Sequence, residues 1–187
     1  MPSISEQLQE LSTLTDLMVA EVDHVKKVAE VVVHSLKEGG KILTCGNGGS
    51  ASDAMHLVEE LVGRYRSNRR ALPGIALVAD PTVLTCIAND WDYDSVFSRQ
   101  VEAHGRPGDV LVVFSTSGNS ASVIRALESA RERGLVTIGL LGKDGGACMP
   151  LSDYAVVVPH SNTARIQEMH TWLLHVILEE VEMAFPV

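Results

Sequence analysis

Short, nearly continuous apolar runs alternate along the chain with stretches of helical period. Residues 41–45 (KILTC), 74–78 (GIALV), 109–114 (DVLVVF), 136–142 (VTIGLLG) and 154–159 (YAVVVP) are strand-length and carry apolar residues on both sets of alternate positions. That pattern predicts parallel strands covered on both faces. The intervening stretches predict helices: one starting near Ala51, one capped by Asp80 or Thr82 and running through Ala88, one ending near Ala103, one from Ala121 to about Arg133 with Gly134 as its stop, and one from Thr163 to Ala184. Ahead of the first strand, Leu8, Leu11, Leu14, Leu17, Met18, Val22, Val25, Val28 and Val31 to Val33 are spaced for a helix or helix pair closed by Gly39 and Gly40. This apolar length can pack on the chain's own sheet or partly on a second subunit, and the pattern does not choose between them.

Strands alternating with helices predict an α/β domain of three layers, with a doubly wound, parallel, five-stranded sheet and an N-terminal helical extension. The 187 residues fit a single domain, with residues 1–38 as the helices and 39–187 as the α/β core. In such sheets ligands bind outside the carboxyl ends of the strands, where the βα loops lie. Two loops at that edge stand out, GNGGS (46–50) and STSGNS (115–120). A third segment, NDWDYD (89–94), follows neither period; it is either a solvated turn or a loop that carries function.

Charge narrows the choice of ligand. With 15 Lys and Arg against 24 Asp and Glu the formal charge is −9, and the basic residues are scattered, which argues against a nucleic-acid partner. An anionic ligand must then be held by local amides, hydroxyls or a metal. Cys45, Cys86 and Cys148 have no CxxC spacing and two lie in apolar surroundings, as reduced core thiols would, which favours the cytoplasm. The opening MPSISEQLQEL lacks a basic region followed by an apolar one, and no apolar run nears the roughly 18 residues of a membrane span, so no membrane partner is expected.

Glycines 46, 48 and 49 let the backbone amides of the first loop crowd toward a helix N-terminus, which favours an oxyanion. His56 and Glu60, four residues apart on the following helix, share one face and can share a metal ion or a proton, whereas Glu59 turns toward solvent. STSGNS offers hydroxyls at Ser115, Thr116, Ser117 and Ser120, one glycine and a helix start, together a phosphate cup that needs no lysine. Simple N-capping by Ser117 or Ser120 explains one of these hydroxyls and leaves the others unexplained. GxxxxGK[ST], GxGxxG and GxSxG are all absent, which removes the P-loop, the dinucleotide fingerprint and the nucleophile elbow. In RIQEMHTWLLH (165–175), Gln167, Thr171 and His175 form a stripe from which His170 diverges. Gln167 and His175 lie about 12 Å apart along a straight helix, and a helical histidine binds metal only with partners, here His56 and Glu60.

CGNGGSASDAMHLVEELVGRY (45–65), AND (88–90), FSTSGNS (114–120) and RIQEMH (165–170) with the following His175 together resemble the bacterial phosphoheptose isomerases of the sugar-isomerase (SIS) domain class. Four separated motifs in the same order span nearly the whole chain. The resemblance implies a flavodoxin-like SIS fold, a homotetramer with active sites at subunit interfaces, one zinc ion per subunit and a sugar phosphate substrate, sedoheptulose 7-phosphate, isomerised to D-glycero-D-manno-heptose 7-phosphate. It implies His56, Glu60, Gln167 and His175 as zinc ligands. The implied substrate contacts are Asn47, Gly48, Gly49, Glu60, Asn89, Asp90, Ser115, Thr116, Ser117, Ser120 and Gln167, with Ser50, Asp53 and Arg64 near the site. An aldose–ketose isomerase moves a proton between C1 and C2 through an enediol, which requires a base beside the carbons and an acid beside the oxygens; Glu60 suits the first role and His175 the second. A zinc-bound carboxylate is a weaker base, so Glu60 has to leave the metal or act without it. Ala164 departs from the family, some of whose members carry Asp there, with Asn162 as the neighbouring substitute. Two other functions share much of this pattern: a noncatalytic SIS adaptor that binds the bacterial replication initiator, which lacks counterparts of Glu60 and His175, and an isomerase for another sugar phosphate.

Overall fold

The structure of the chain, a computed structural model, describes residues 2–187. Helix α1 (Ile4–Met18) opens on a capping box: the Ser3 hydroxyl accepts from the Glu6 amide at 3.2 Å, and Glu6 accepts from the Ser3 amide at 2.6 Å. A single 3-10 turn (Val19–Glu21) leads into α2 (Val22–Lys37). Gly39 ends α2 at φ +86°, and the Gly40 amide reaches back to the Ser35 carbonyl at 2.9 Å, the bond of a Schellman motif. There follow β1 (Ile42–Gly46), α3 (Gly49–Val62), β2 (Gly74–Ala76), α4 (Pro81–Asp90), α5 (Ser98–His104), β3 (Val110–Ser115), α6 (Ala121–Glu132), β4 (Val136–Gly142), β5 (Tyr154–Val158) and α7 (Thr163–Ala184). Asp80 caps α4 by accepting from the amides of Thr82 and Val83, with Pro81 in the first helical position. Asn162 caps α7 through the Ala164 amide at 3.0 Å.

All five strands are parallel, in the order β2-β1-β3-β4-β5. Every residue of β3 is buried, and its side chains alternate between two cores. Val110, Val112 and Phe114 face α1, α2, α3 and α7; Leu111 and Val113 face α4, α5 and α6. A fully buried side chain of this size contributes about 1.5–3 kcal/mol, so the central strand alone binds both layers firmly to the sheet. The chain leaves β1 for one edge of the sheet and later returns on its other side to form β3, which makes the gap between β1 and β3 the topological switch point. GNGGS and STSGNS hang over that gap.

The helical extension packs partly on the chain's own sheet. Leu14, Met18, Val25, Val28, Val32 and Leu36 join the chain's own core, while Leu8 (65 % exposed) and Leu17 (52 %) remain in solvent beside Val19 and Val22. Strand β2 stops at Ala76, short of the expected Val78, because the Ala79 amide turns back to the Ala76 carbonyl at 3.0 Å. The KDGG loop runs on into a 3-10 segment (Gly146–Leu151, GACMPL), too short and too interrupted by Pro150 to show a period in the sequence. The three cysteines form no disulfide among the described residues; Cys45 and Cys148 are buried and Cys86 is exposed.

Candidate active site

Gly48, at φ +59°, sets the chain turning directly into α3; the amides of Ser50 and Ala51 donate back to the Asn47 and Gly48 carbonyls at 3.1 and 3.0 Å, which leaves the Gly49 amide as the one of the first turn without such an acceptor. Glycine is required two residues earlier as well, since a Cβ on Gly46 would lie 2.6 Å from the Ser50 carbonyl oxygen and 2.9 Å from that of Phe114. Between them Asn47 is held at both ends of its amide. Its Nδ2 donates to Ser122 Oγ at 3.0 Å, and its Oδ1 accepts from the Tyr93 hydroxyl at 2.8 Å. Ser50 is buried behind the turn.

In STSGNS, Ser115 Oγ accepts from the Gly118 amide and Ser117 Oγ from the Asn119 amide, both at 3.1 Å, so these two hydroxyls shape the loop. Ser120 occupies the N-cap position of α6, yet its side chain makes no capping bond. Plain N-capping therefore does not account for the serine-rich loop. Thr116 and Ser120 are half-buried at its rim, above the first turn of α6, where the Val123 amide already donates to the Ser120 carbonyl at 3.0 Å and the Ala121 and Ser122 amides lead the helix. The loop is braced from behind: the Cys148 amide donates to the Gly118 carbonyl at 2.8 Å, and the Ala147 amide to Asn119 Oδ1 at 3.0 Å.

Helices α3 and α7 both descend from carboxyl ends of parallel strands, on the same face of the sheet, and they pack side by side in the same direction. The Gln167 amide lies against Gly49, where an added Cβ would sit 2.8 Å from Gln167 Cδ. One turn along, Thr171 Oγ1 donates to Asp53 Oδ1 at 2.9 Å. A further turn along, the His175 ring meets the His56 ring edge-on, with centroids 5.1 Å apart, and is stacked on its other side by Tyr65 at 6.0 Å. His56 Nε2 lies 3.6 Å from Glu60 Oε1. The stripe of Gln167, Thr171 and His175 thus faces the stripe of Gly49, Asp53, His56 and Glu60. Burial pushes the Asp53 carboxyl above its ordinary range, against the opposing effects of the Thr171 bond and the nearby His56.

Ligand atoms of His56, Glu59 and Glu60 lie within 4.8 Å of one another. Two donors on a tetrahedral zinc with ~2.1 Å bonds stand about 3.4 Å apart, so the His56–Glu60 separation suits one ion, and imidazole nitrogen with carboxylate oxygen is a donor set zinc accepts. Glu59 is exposed, as helical period implies, but it does not point away: its carboxylate reaches the same cluster. Of the four ligands expected from family resemblance, His56 and Glu60 stand within reach of one ion, the His175 ring touches that of His56 without its nitrogens joining the cluster, and the Gln167 amide sits two turns up the helix beside Gly49.

Other expected residues gather elsewhere in the chain. Arg64 is exposed and donates to Asn68 Oδ1 at 2.6 Å. Asn89 and Asp90 close α4, both exposed, with Asn89 Nδ2 donating to Asp90 Oδ1 at 2.8 Å. Their segment is nevertheless tied to the switch point, because NDWDYD is no free turn. Arg125 Nη1 on α6 donates to both Asp92 oxygens at 2.9 and 3.0 Å, and that pairing carries Tyr93 to Asn47. Tyr93, Ser122 and Arg125 had no signal in spacing; the one hint was an acidic loop with aromatics opposite a helix bearing an arginine. A cleft of about 430 Å³ opens at the opposite, amino-terminal edge of the sheet, beside Lys27, Val31, His34 and Tyr154.

Sheet order, glycine- and serine-rich loops at the switch point and an imidazole–carboxylate cluster on the adjoining helices together define a doubly wound α/β protein whose candidate ligand site lies at the carboxyl edge of β1 and β3. The SIS domain pattern matches residues 8–142, and the chain belongs to that family. It is 46 % identical to a phosphoheptose isomerase of Cytophaga hutchinsonii over 186 residues, covering 97 % of both chains. A phosphoheptose isomerase of Chlorobaculum tepidum is 56 % identical over 163 residues, which cover 86 % of this chain and 78 % of that one. Among solved structures, the phosphoheptose isomerase of Neisseria gonorrhoeae superposes with a TM-score of 0.91 at 41 % identity, over 96 % of this chain and 97 % of that one.

Proposed function

We propose that the chain is an aldose–ketose isomerase that converts sedoheptulose 7-phosphate to D-glycero-D-manno-heptose 7-phosphate. The reaction type rests on one observation, the meeting of His175 with the His56–Glu60 pair beside a lysine-free anion cup. The choice of a seven-carbon sugar rests on kinship with the phosphoheptose isomerases over nearly the whole chain.

Thr116 and Ser120, with the first-turn amides of α6, hold the phosphate and so fix the distance to the reacting carbons. The Glu60 carboxylate takes the proton between C1 and C2, and His175 exchanges protons with the sugar oxygens. The amides at Gly48 and Gly49 and the oriented side chain of Asn47 face the charge that develops on the enediol. His56 and Glu60 would hold one zinc ion per subunit, with His175 completing the set after a small movement of its ring and Gln167 only after its amide leaves Gly49. Bound there, zinc supplies Lewis-acid polarisation of sugar oxygens.

The assembly we propose is a homotetramer in the cytoplasm, with each site completed by a neighbouring subunit. Two features support it: Ile4, Leu8, Leu17, Val19 and Val22 are left in solvent, and so are Gly48, Gly49, Asn89 and Asp90 at the candidate site. No helix among the described residues is long and apolar enough to cross a membrane. Assay of purified protein with sedoheptulose 7-phosphate, with metal content and sedimentation velocity measured on the same sample, tests the proposal. Inactivity with and without added zinc, on every sugar phosphate tried, would move the function to a noncatalytic SIS adaptor. Turnover of another sugar phosphate alone would keep the chemistry and change the substrate.

A further inference from the structure

One titratable side chain of the site region takes no part in the chemistry above. His170 on α7 is fully buried, and neither ring nitrogen has a hydrogen-bond partner of full geometry among the described residues. Buried polar groups are nearly always paired, so an orphan of this kind calls for an explanation. Its surroundings supply one. The ring stands edge-on to Phe114, with centroids 6.0 Å apart, and Phe114 is the last residue of β3 before Ser115 pairs with Leu141 across the sheet. The Leu141 backbone is the polar group that favours its protonation, while burial, the larger effect, drives the imidazole down to about 4. A neutral imidazole has one N–H to give and one lone pair to fill. The ring therefore lies under the ends of β3 and β4, where STSGNS and its bracing loop begin. The same helix presses Ile166 on Gly142, where a Cβ would meet the Ile166 side chain at 2.7 Å and the Thr116 carbonyl at 2.5 Å.

We propose that His170 is a positioning residue for the phosphate cup: its buried ring, set against Phe114 and the Leu141 backbone, ties α7 to the ends of β3 and β4, and so couples the helix that carries Gln167 and His175 to the loop Ser115–Ser120. The coupling lets anion binding in the cup be felt in α7. The proposal rests on the assignment of STSGNS as the phosphate loop, so its test reads anion binding apart from turnover.

Inorganic phosphate is titrated calorimetrically into the native protein and into His170→Phe, His170→Asn and His170→Gln. The phenyl ring keeps the shape and removes the polar atoms, whereas the two amides return an N–H near the Nδ1 and Nε2 positions. Phosphate is expected to bind His170→Phe about tenfold more weakly, and one of the two amide variants is expected to recover to within about threefold of native; with sugar phosphate, KM of His170→Phe rises by a similar factor while kcat falls less than about threefold. Equal phosphate affinity in His170→Phe and native protein, or a loss confined to kcat, overturns the proposal. Should no variant fold, hydrogen exchange on the native protein decides. Phosphate is expected to protect residues 115–120 and 166–174 together, and protection of the loop with no change in the helix overturns it. Failure of the native protein to bind phosphate at all refutes the cup itself and is distinct from either result.

Discussion

Thr171 on α7 donates its hydroxyl to Asp53 on α3 across 2.9 Å, which fixes a buried carboxylate between the two helices that carry the proposed base and acid. The second oxygen of Asp53 has no partner among the described residues. A carboxyl in that setting is held above its ordinary value of 3.8, chiefly by loss of water.

The linkage has a definite sign. Because the folded pKa exceeds the unfolded one, the native state holds the Asp53 proton more tightly; that contribution is complete below the unfolded value and is lost as pH rises through the raised value. Asp53→Asn keeps the acceptor for Thr171 and has no charge to bury. Its melting temperature at pH 7 is expected to exceed that of native protein, with the difference narrowing as pH falls toward 3.8. A variant less stable than native at pH 7 contradicts this.

Glu60→Gln and His175→Gln remove the proposed base and acid while keeping their shapes. Each is expected to lower kcat by about 10²- to 10⁴-fold with an unchanged circular dichroism spectrum, and both are expected to weaken zinc retention during dialysis against a chelator. Full activity in either variant removes that residue from the chemistry.

Tyr93→Phe frees Oδ1 of Asn47 and leaves Ser122 as its one side-chain partner. One hydrogen bond is worth about 1 kcal/mol, so KM for the sugar phosphate is expected to rise roughly fivefold, and Arg125→Ala, which releases Asp92, should move it in the same direction. Michaelis kinetics on both variants check the link, and an unchanged KM in both breaks it.

At the far edge of the sheet, Asp109 accepts from the backbone amides of Lys41 at 3.0 Å and Arg106 at 2.9 Å and pairs with the Lys41 ammonium. It is 4 % exposed. Removing one partner of a buried pair typically costs about 3–5 kcal/mol, and Asp109→Ala is expected to lower the urea midpoint accordingly while turnover per folded chain stays native.

How far the sequence reaches is clear from single elements. β4 and α7 begin and end where composition and caps place them, since buried strands and a capped amphipathic helix are both local patterns. The parallel packing of α3 on α7 is not local. His56 and Glu60 are related by helical period, whereas the approach of His175 depends on which strands neighbour each other and on which face each crossover takes. Tyr93 was invisible for a similar reason: its role depends on Arg125, on another helix, holding Asp92. Glu59 shows the limit of period itself, because a side chain one position off the stripe is long enough to reach back to it.

The contacts from Gly49–Gln167 through Asp53–Thr171 to His56–His175 run in step along two helices of one polarity. A residue deleted between Gln167 and His175 would turn everything beyond it by about 100° and carry the imidazole to the far side of the helix. What evolution must conserve in that interval is therefore a number more than a spelling: residues facing the core or solvent can drift, but the tally between the amide and the imidazole cannot change without uncoupling one end of the sugar from the other.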